Sequence, residues 1–242
     1  LRNILEIQVL TKDWEQAIQT AGRLEKLGCP AQNADTAHYY CELAVAAMLK
    51  GDIEAARAFL EHALDENKRS ARAWLLKGDL EIKAGRDEDA IAAWRRLEEL
   101  NPAYLSTVAE RLVQVHTRLG RQEQVIALLK AYLDRSSSPD LLHLLFQTVA
   151  ENQGWEAARQ LAAEELKRHP SLRALDDYLQ ASNAVNVESV EGRLAQDLVH
   201  RQVSRTAYYQ CASCGFKARQ YFWQCPACAR WESIPPERSE HD

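Results

Sequence analysis

A repeat of fixed period constrains this chain more than any other feature. Superposing residues 37–70 on residues 71–104 brings Tyr40 onto Trp74, Gly51 onto Gly85, Asp52 onto Arg86, Ala56 onto Ala90, Leu60 onto Trp94 and Asn67 onto Asn101, always at an offset of 34. Gly120 follows Gly85 by 35 positions, and Pro170 follows Pro102 by 68, twice the period. A period of this length marks one supersecondary unit that cannot bury its apolar face alone and must stack on its neighbours. The unit reads as helix–turn–helix. Gly85 closes the first helix where the backbone must turn into a left-handed conformation. Ala90 is small because the two helices cross closely there, Trp94 fills the gap toward the next repeat, and Pro102 stops the second helix.

The run W-x2-K-G-x6-G-x4-A-x3-W-x7-P over Trp74 to Pro102 resembles the tetratricopeptide consensus, departing from it where Lys77 replaces the usual Leu. Residues 11–30, with Trp14, Ala17, Ala21 and Leu24, read as the second helix of an incomplete first repeat. Residues 105–138 form a further unit whose one-residue insertion leaves its first-helix register ambiguous. Residues 139–170 form another, and residues 171–183 begin one more helix. Arg-Ser-Ser-Ser-Pro at 135–139 is an inter-repeat loop. Stacked arrays of this kind leave a groove lined by their first helices. In residues 71–104 the groove positions are expected near Arg72, Leu75 and Asp79.

Composition agrees with an all-α fold. Gly (9) and Pro (7) are scarce in 242 residues, and 46% hydrophobic content is ample for a core. The net charge of −5 argues against wholesale nucleic-acid binding. No stretch is apolar enough to span a membrane and no secretory signal is present. The chain opens at Leu1 inside an apparent helix, so a preceding segment, an anchor, is expected.

Residues 188–206 carry Val190, Leu194, Leu198 and Val203 on roughly one helical face. Glu188 and Glu191 lie near the start and Arg201 and Arg205 near the end, as the helix dipole favours. This unbroken helix leads straight into the last segment. That segment is therefore expected to pack on the repeats, with aromatics such as Phe222 or Trp231 as anchors.

Four of the six cysteines, Cys211, Cys214, Cys225 and Cys228, form C-x2-C-x10-C-x2-C. In an otherwise cysteine-poor helical chain such pairs read as metal ligands in a reducing, cytoplasmic compartment, not as disulfides. Each C-x2-C turn presents two thiolates, and together they make a tetrahedral S4 cage for one metal ion. A segment this small cannot bury enough apolar surface to fold alone. Metal binding can supply ~10–16 kcal/mol of apparent folding free energy. Four thiolates close the first shell, which indicates a structural or electron-transfer centre; zinc and iron both satisfy the spacing.

Between Asp197 and Glu232 there is no acidic residue, but there are Arg201, Arg205, Lys217, Arg219 and Arg230. Seven aromatics share the region: Tyr208, Tyr209, Phe216, Tyr221, Phe222, Trp223 and Trp231. Basic and aromatic together suit single-stranded nucleic acid, an anionic membrane or an acidic protein face. A domain this small also needs most of its aromatics for its own core. The seven histidines are scattered, with no H-E-x-x-H, P-loop or GxGxxG, so no catalytic constellation is legible.

C-A-S-C-G-F and C-P-A-C resemble the two knuckles of a rubredoxin-type domain. The loop between them is shorter than in free-standing rubredoxins, and Ala229 stands where a second Gly is usual. Tetratricopeptide repeats followed by the tail Y-x-C-x2-C-G-F-x6-W-x-C-P-x-C-x2-W resemble the lipopolysaccharide assembly protein B family over essentially the whole chain. That resemblance implies a protein anchored to the bacterial inner membrane by an N-terminal helix, with its repeats in the cytoplasm. It implies an adaptor, not an enzyme, that regulates lipopolysaccharide synthesis. The partners implied are a membrane AAA+ protease, the deacetylase that commits lipid A synthesis and whose turnover is promoted, and other lipopolysaccharide assembly proteins. It also implies iron at the four cysteines. The expected division is 1–187 repeats, 188–206 connecting helix, 207–236 metal domain and 237–242 tail. Two rivals stand beside it, a rubredoxin-type electron-transfer module and a zinc-ribbon nucleic-acid binder.

Overall fold

The computed structural model describes residues 1–30, 32–134, 138–186, 190–206 and 208–238. Glu188, His241 and residues 135–137 of the loop at 135–139 lie outside the described residues. Twelve α-helices and one two-stranded sheet are found among them, in two compact units, Leu1–Pro102 and Ala103–Asp242. No helix there is long and apolar enough to cross a membrane.

The first unit holds three helix pairs: α1 (Arg2–Leu10) with α2 (Trp14–Lys26), α3 (Asn33–Lys50) with α4 (Ile53–Glu66), and α5 (Ala71–Lys83) with α6 (Asp87–Leu100). The first repeat, expected incomplete, has both of its helices. Period and chemistry coincide at the turns. Gly51 and Gly85 sit at φ +80° and +72°, the left-handed step between paired helices. Asp13, Asp52 and Ser70 cap the helices that follow them, their side chains accepting from backbone N–H groups three residues on. Helix α6 stops at Leu100, one extended residue before Pro102.

The core of this unit lies along the small and aromatic positions of the repeat. Ala56, Ala90, Leu60 and Trp94 are all buried. Trp94 packs against the preceding helix of its own pair, its indole Nε1 donating to the Leu75 carbonyl at 3.2 Å. Buried Glu81 joins three elements: it accepts from Arg57 of α4 at 2.6 Å and from Arg86, which leads into α6. Burial would raise this carboxyl, but the two guanidiniums hold it below its ordinary range.

A short 3-10 turn over Pro102–Thr107 spans the boundary and leads into the second unit. Then follow α7 (Ala109–Arg118), α8 (Gln122–Leu133), α9 (Pro139–Gln153), α10 (Trp155–Arg168), α11 (Leu172–Val185) and α12 (Val190–Thr206). The chain closes with β1 (Tyr209–Gln210) and β2 (Lys217–Ala218), antiparallel with Tyr209 opposite Ala218. Helix α12 packs on α11, Gln196 accepting from Asn183 at 2.8 Å, and Val203 of the same helix is buried. The other three residues of its expected apolar face, Val190, Leu194 and Leu198, are exposed.

Candidate metal centre

The four cysteines are brought together by two copies of one backbone turn. In the first, the Cys211 N–H donates to the Phe216 carbonyl at 2.9 Å and the Gly215 N–H returns to the Cys211 carbonyl at 2.9 Å. In the second, Cys225 N–H donates to Arg230 and Ala229 N–H returns to Cys225, at 2.9 and 2.8 Å. Gly215 (φ +75°) and Ala229 (φ +55°) occupy the same left-handed position. Ala229 therefore makes the turn a glycine usually makes, at a steric cost of about 1 kcal/mol. Each knuckle is closed by a pairing of flanking backbone, β1 with β2 in one case and the Gln224–Trp231 bridge in the other.

The four sulfurs lie within 4.8 Å of one another, with Cys211–Cys228 at 3.8 Å and Cys214–Cys225 at 3.7 Å. A tetrahedron with metal–sulfur bonds of ~2.3 Å has edges of about 3.8 Å, so the donor set fits one metal ion. The electrostatics agree. The Ser233 hydroxyl, 3.4 Å from Cys211 Sγ, and two backbone N–H groups bring that thiol down to about 6. Cys214 is pulled down by the Phe216 N–H, but burial and its thiol neighbours outweigh this and push it up to about 12. Crowded thiolates cannot all ionise without a compensating cation. Cys29 and Cys41 are not part of the cluster.

Aromatics build the small core and tie it down. Tyr209, Phe216, Tyr221 and Phe222 pack around Cys211, Cys225 and Ile234. Trp223 stacks on Tyr104 with ring centroids 5.5 Å apart and planes 10° from parallel, which anchors the small core onto the 3-10 turn of the same unit. Residues after the second knuckle form a clasp. The Pro236 carbonyl accepts from Ser106 at 3.0 Å, Glu237 accepts from the Tyr132 hydroxyl at 3.2 Å, and Arg238 pairs with Asp140 at 3.4 Å. Sequence alone gave Glu237 and Arg238 no more than a place in the tail; only their partners, about a hundred residues away, reveal them.

The expected partner positions divide by exposure. Arg201, Arg205, Lys217, Arg219 and Arg230 are exposed. Lys217 lies over the Tyr208 ring at 4.2 Å, Arg219 donates to the Ser204 carbonyl at 3.4 Å, and Arg230 donates to Ser213. Arg72 and Leu75, by contrast, are buried, and Asp79 is half-buried. Arg72 reaches across from α5 to Glu42 of α3 at 2.7 Å, so its charge serves contact between successive first helices. Among the described histidines, His143 and His200 pair with buried Asp177 and Asp176 at 2.6 and 2.9 Å, which sequence spacing did not show.

A family model described as a rubredoxin metal binding domain matches residues 209–236, and a tetratricopeptide repeat model matches residues 47–112. The chain is 30% identical over 98% of its length to lipopolysaccharide assembly protein B of Escherichia coli strain K12. It is 26% identical over its whole length to the protein of that name in Haemophilus influenzae, and it spans 62% of each relative's length. Among solved structures, the C-terminal part of a TPR repeat-containing protein from Cytophaga hutchinsonii superposes with a TM-score of 0.54. That match covers 84% of this chain and 81% of that one at 14% identity, a likeness of fold alone. The fold is thus an all-α tetratricopeptide-repeat solenoid carrying a small rubredoxin-like, zinc-ribbon-like four-cysteine domain. The family resemblance legible in the tail motif extends along nearly the whole chain.

Proposed function

We propose that this chain is a non-catalytic adaptor regulating lipopolysaccharide synthesis at the cytoplasmic face of the bacterial inner membrane. The observation that carries the reading is its similarity, over 98% of its length, to proteins named for lipopolysaccharide assembly. In this reading it promotes proteolysis of the deacetylase that commits lipid A synthesis, by presenting it to a membrane AAA+ protease. The repeats read protein partners, and nucleic acid is not among them. Four thiolates support a structural role for the metal, proposed to be iron, because they leave no ligand position for a reacting water. The metal holds two knuckles whose exposed Lys217, Arg219 and Arg230 offer an acidic partner face a basic surface. In the repeats, Asp79 is proposed to meet a partner directly, with Arg72 and Leu75 supporting the wall beneath it.

The test is affinity capture from the native host with the membrane-anchored full-length protein. Recovery of the protease and the deacetylase supports the adaptor. Recovery of a redox enzyme with a reversible iron couple, or of nucleic acid with steeply salt-dependent binding, replaces it with one of the rivals.

A further inference from the structure

The exposed side of α12 carries a pattern that the metal centre does not use. Glu191, Leu194, Leu198 and Arg201 are spaced three, four and three residues apart and all are exposed, the two leucines at 58% and 57%. Such spacing puts four side chains in one line along a helix, the seam that helix pairs use. The opposite side of α12 is the one that packs inward, with Gln196 bonded to Asn183 of α11 and Val203 buried. Val190, at 74% exposure, extends the apolar line by one turn. Two leucines in line on a solvent-facing helix, flanked by charge, mark a surface that takes a partner.

The order of charges says which partner. The spacing is symmetric about its midpoint, with an acid at one end and a base at the other. Laid antiparallel on its own copy, the line sets each Leu194 against Leu198 of the other chain and each Glu191 against Arg201. Laid parallel, it sets Glu191 against Glu191 and Arg201 against Arg201. A two-fold axis generates the first arrangement and repeats each favourable contact twice. We propose that α12 is an isologous dimerisation seam, occupied by the α12 of a second copy of this chain in antiparallel register. Three helical turns bury less than a standard interface, so the dimer is weak, concentration-dependent and sensitive to salt.

Sedimentation equilibrium of the purified 242-residue chain, at roughly micromolar to millimolar concentrations, tests this. The expected result is a monomer–dimer equilibrium abolished by Leu194→Asp with Leu198→Asp. Both side chains are exposed, and circular dichroism confirms that the variant is folded. Glu191→Arg or Arg201→Glu alone should weaken association by about tenfold, and the two together should restore it. Single charge variants that dimerise as well as the wild type would overturn the antiparallel register. A chain monomeric throughout would overturn the seam. So would a monomer that sediments with anionic phospholipid vesicles and loses them on Leu198→Asp, since α12 would then be a membrane contact.

Discussion

The indole of Trp94 occupies the space that a side chain at position 78 would need. A Cβ added to Gly78 would lie 2.1 Å from Trp94 Nε1 and 2.4 Å from its Cδ1. The glycine in the middle of α5 therefore exists to admit the tryptophan of α6, and the Nε1–Leu75 hydrogen bond fixes the ring in place. Helix propensity alone favours alanine over glycine by about 1 kcal/mol. Packing reverses that sign. Gly78→Ala should destabilise the chain by about 2 kcal/mol or more, measured by denaturant unfolding. A gain in stability would mean that the indole is free to move.

The second knuckle offers the opposite case. Ala229 holds φ +55° where its counterpart in the first knuckle is Gly215 at +75°. Ala229→Gly relieves left-handed strain and should stabilise the metal domain by up to about 1 kcal/mol, net of the entropy glycine adds to the unfolded chain. Thermal release of bound metal is the readout. The variant should retain metal to higher temperature, and earlier release would contradict the turn geometry.

Burial, seconded by the Arg72 charge, lowers His38 to about 3. The unfolded imidazole titrates near 6.5, so as pH falls the unfolded chain takes up the proton first. Stability is thus complete above about 6.5 and is lost as pH falls toward 3, by at most ~1.4 kcal/mol per pH unit. Unfolding free energies between about pH 7 and pH 4 should fall less steeply in His38→Gln than in the wild type. Parallel slopes would show that His38 is protonated in the folded chain.

The small domain should not survive loss of its ligands. Its buried core consists of Cys211, Cys225 and Ile234 with aromatics around them, too little to fold alone. Cys211→Ser with Cys214→Ser should release the metal and open residues 208–238 to limited proteolysis, while the helices of Leu1–Pro102 stay intact. A metal-free variant as resistant as the wild type would show that the clasp at Pro236, Glu237 and Arg238 suffices without metal.

Much of this is legible in the sequence. The 34-residue offset located the turns because Gly51 and Gly85 have to be left-handed there, and the offset is a property of sequence alone. The paired C-x2-C turns located the cluster for the same reason: local spacing fixes local geometry. What could not be read depends on partners distant along the chain. Arg72 looks like a surface charge until Glu42, thirty residues earlier, is found beside it. Leu194 and Leu198 look like core until the face of α12 that packs on α11 is known. Trp223 is one of seven aromatics until Tyr104 is found stacked on it.

The adaptor reading turns on whether the basic surface of the metal domain sets the lifetime of the deacetylase. The measurement is that lifetime after translation is stopped, in cells whose own copy is replaced by full-length wild type or by Lys217→Glu with Arg219→Glu and Arg230→Glu. Metal content of the purified variant is checked alongside. The wild type should shorten the deacetylase lifetime, and the charge-reversed protein, still metal-loaded, should leave it long. An equally short lifetime with both proteins, or a lifetime the wild type does not change, would contradict the account.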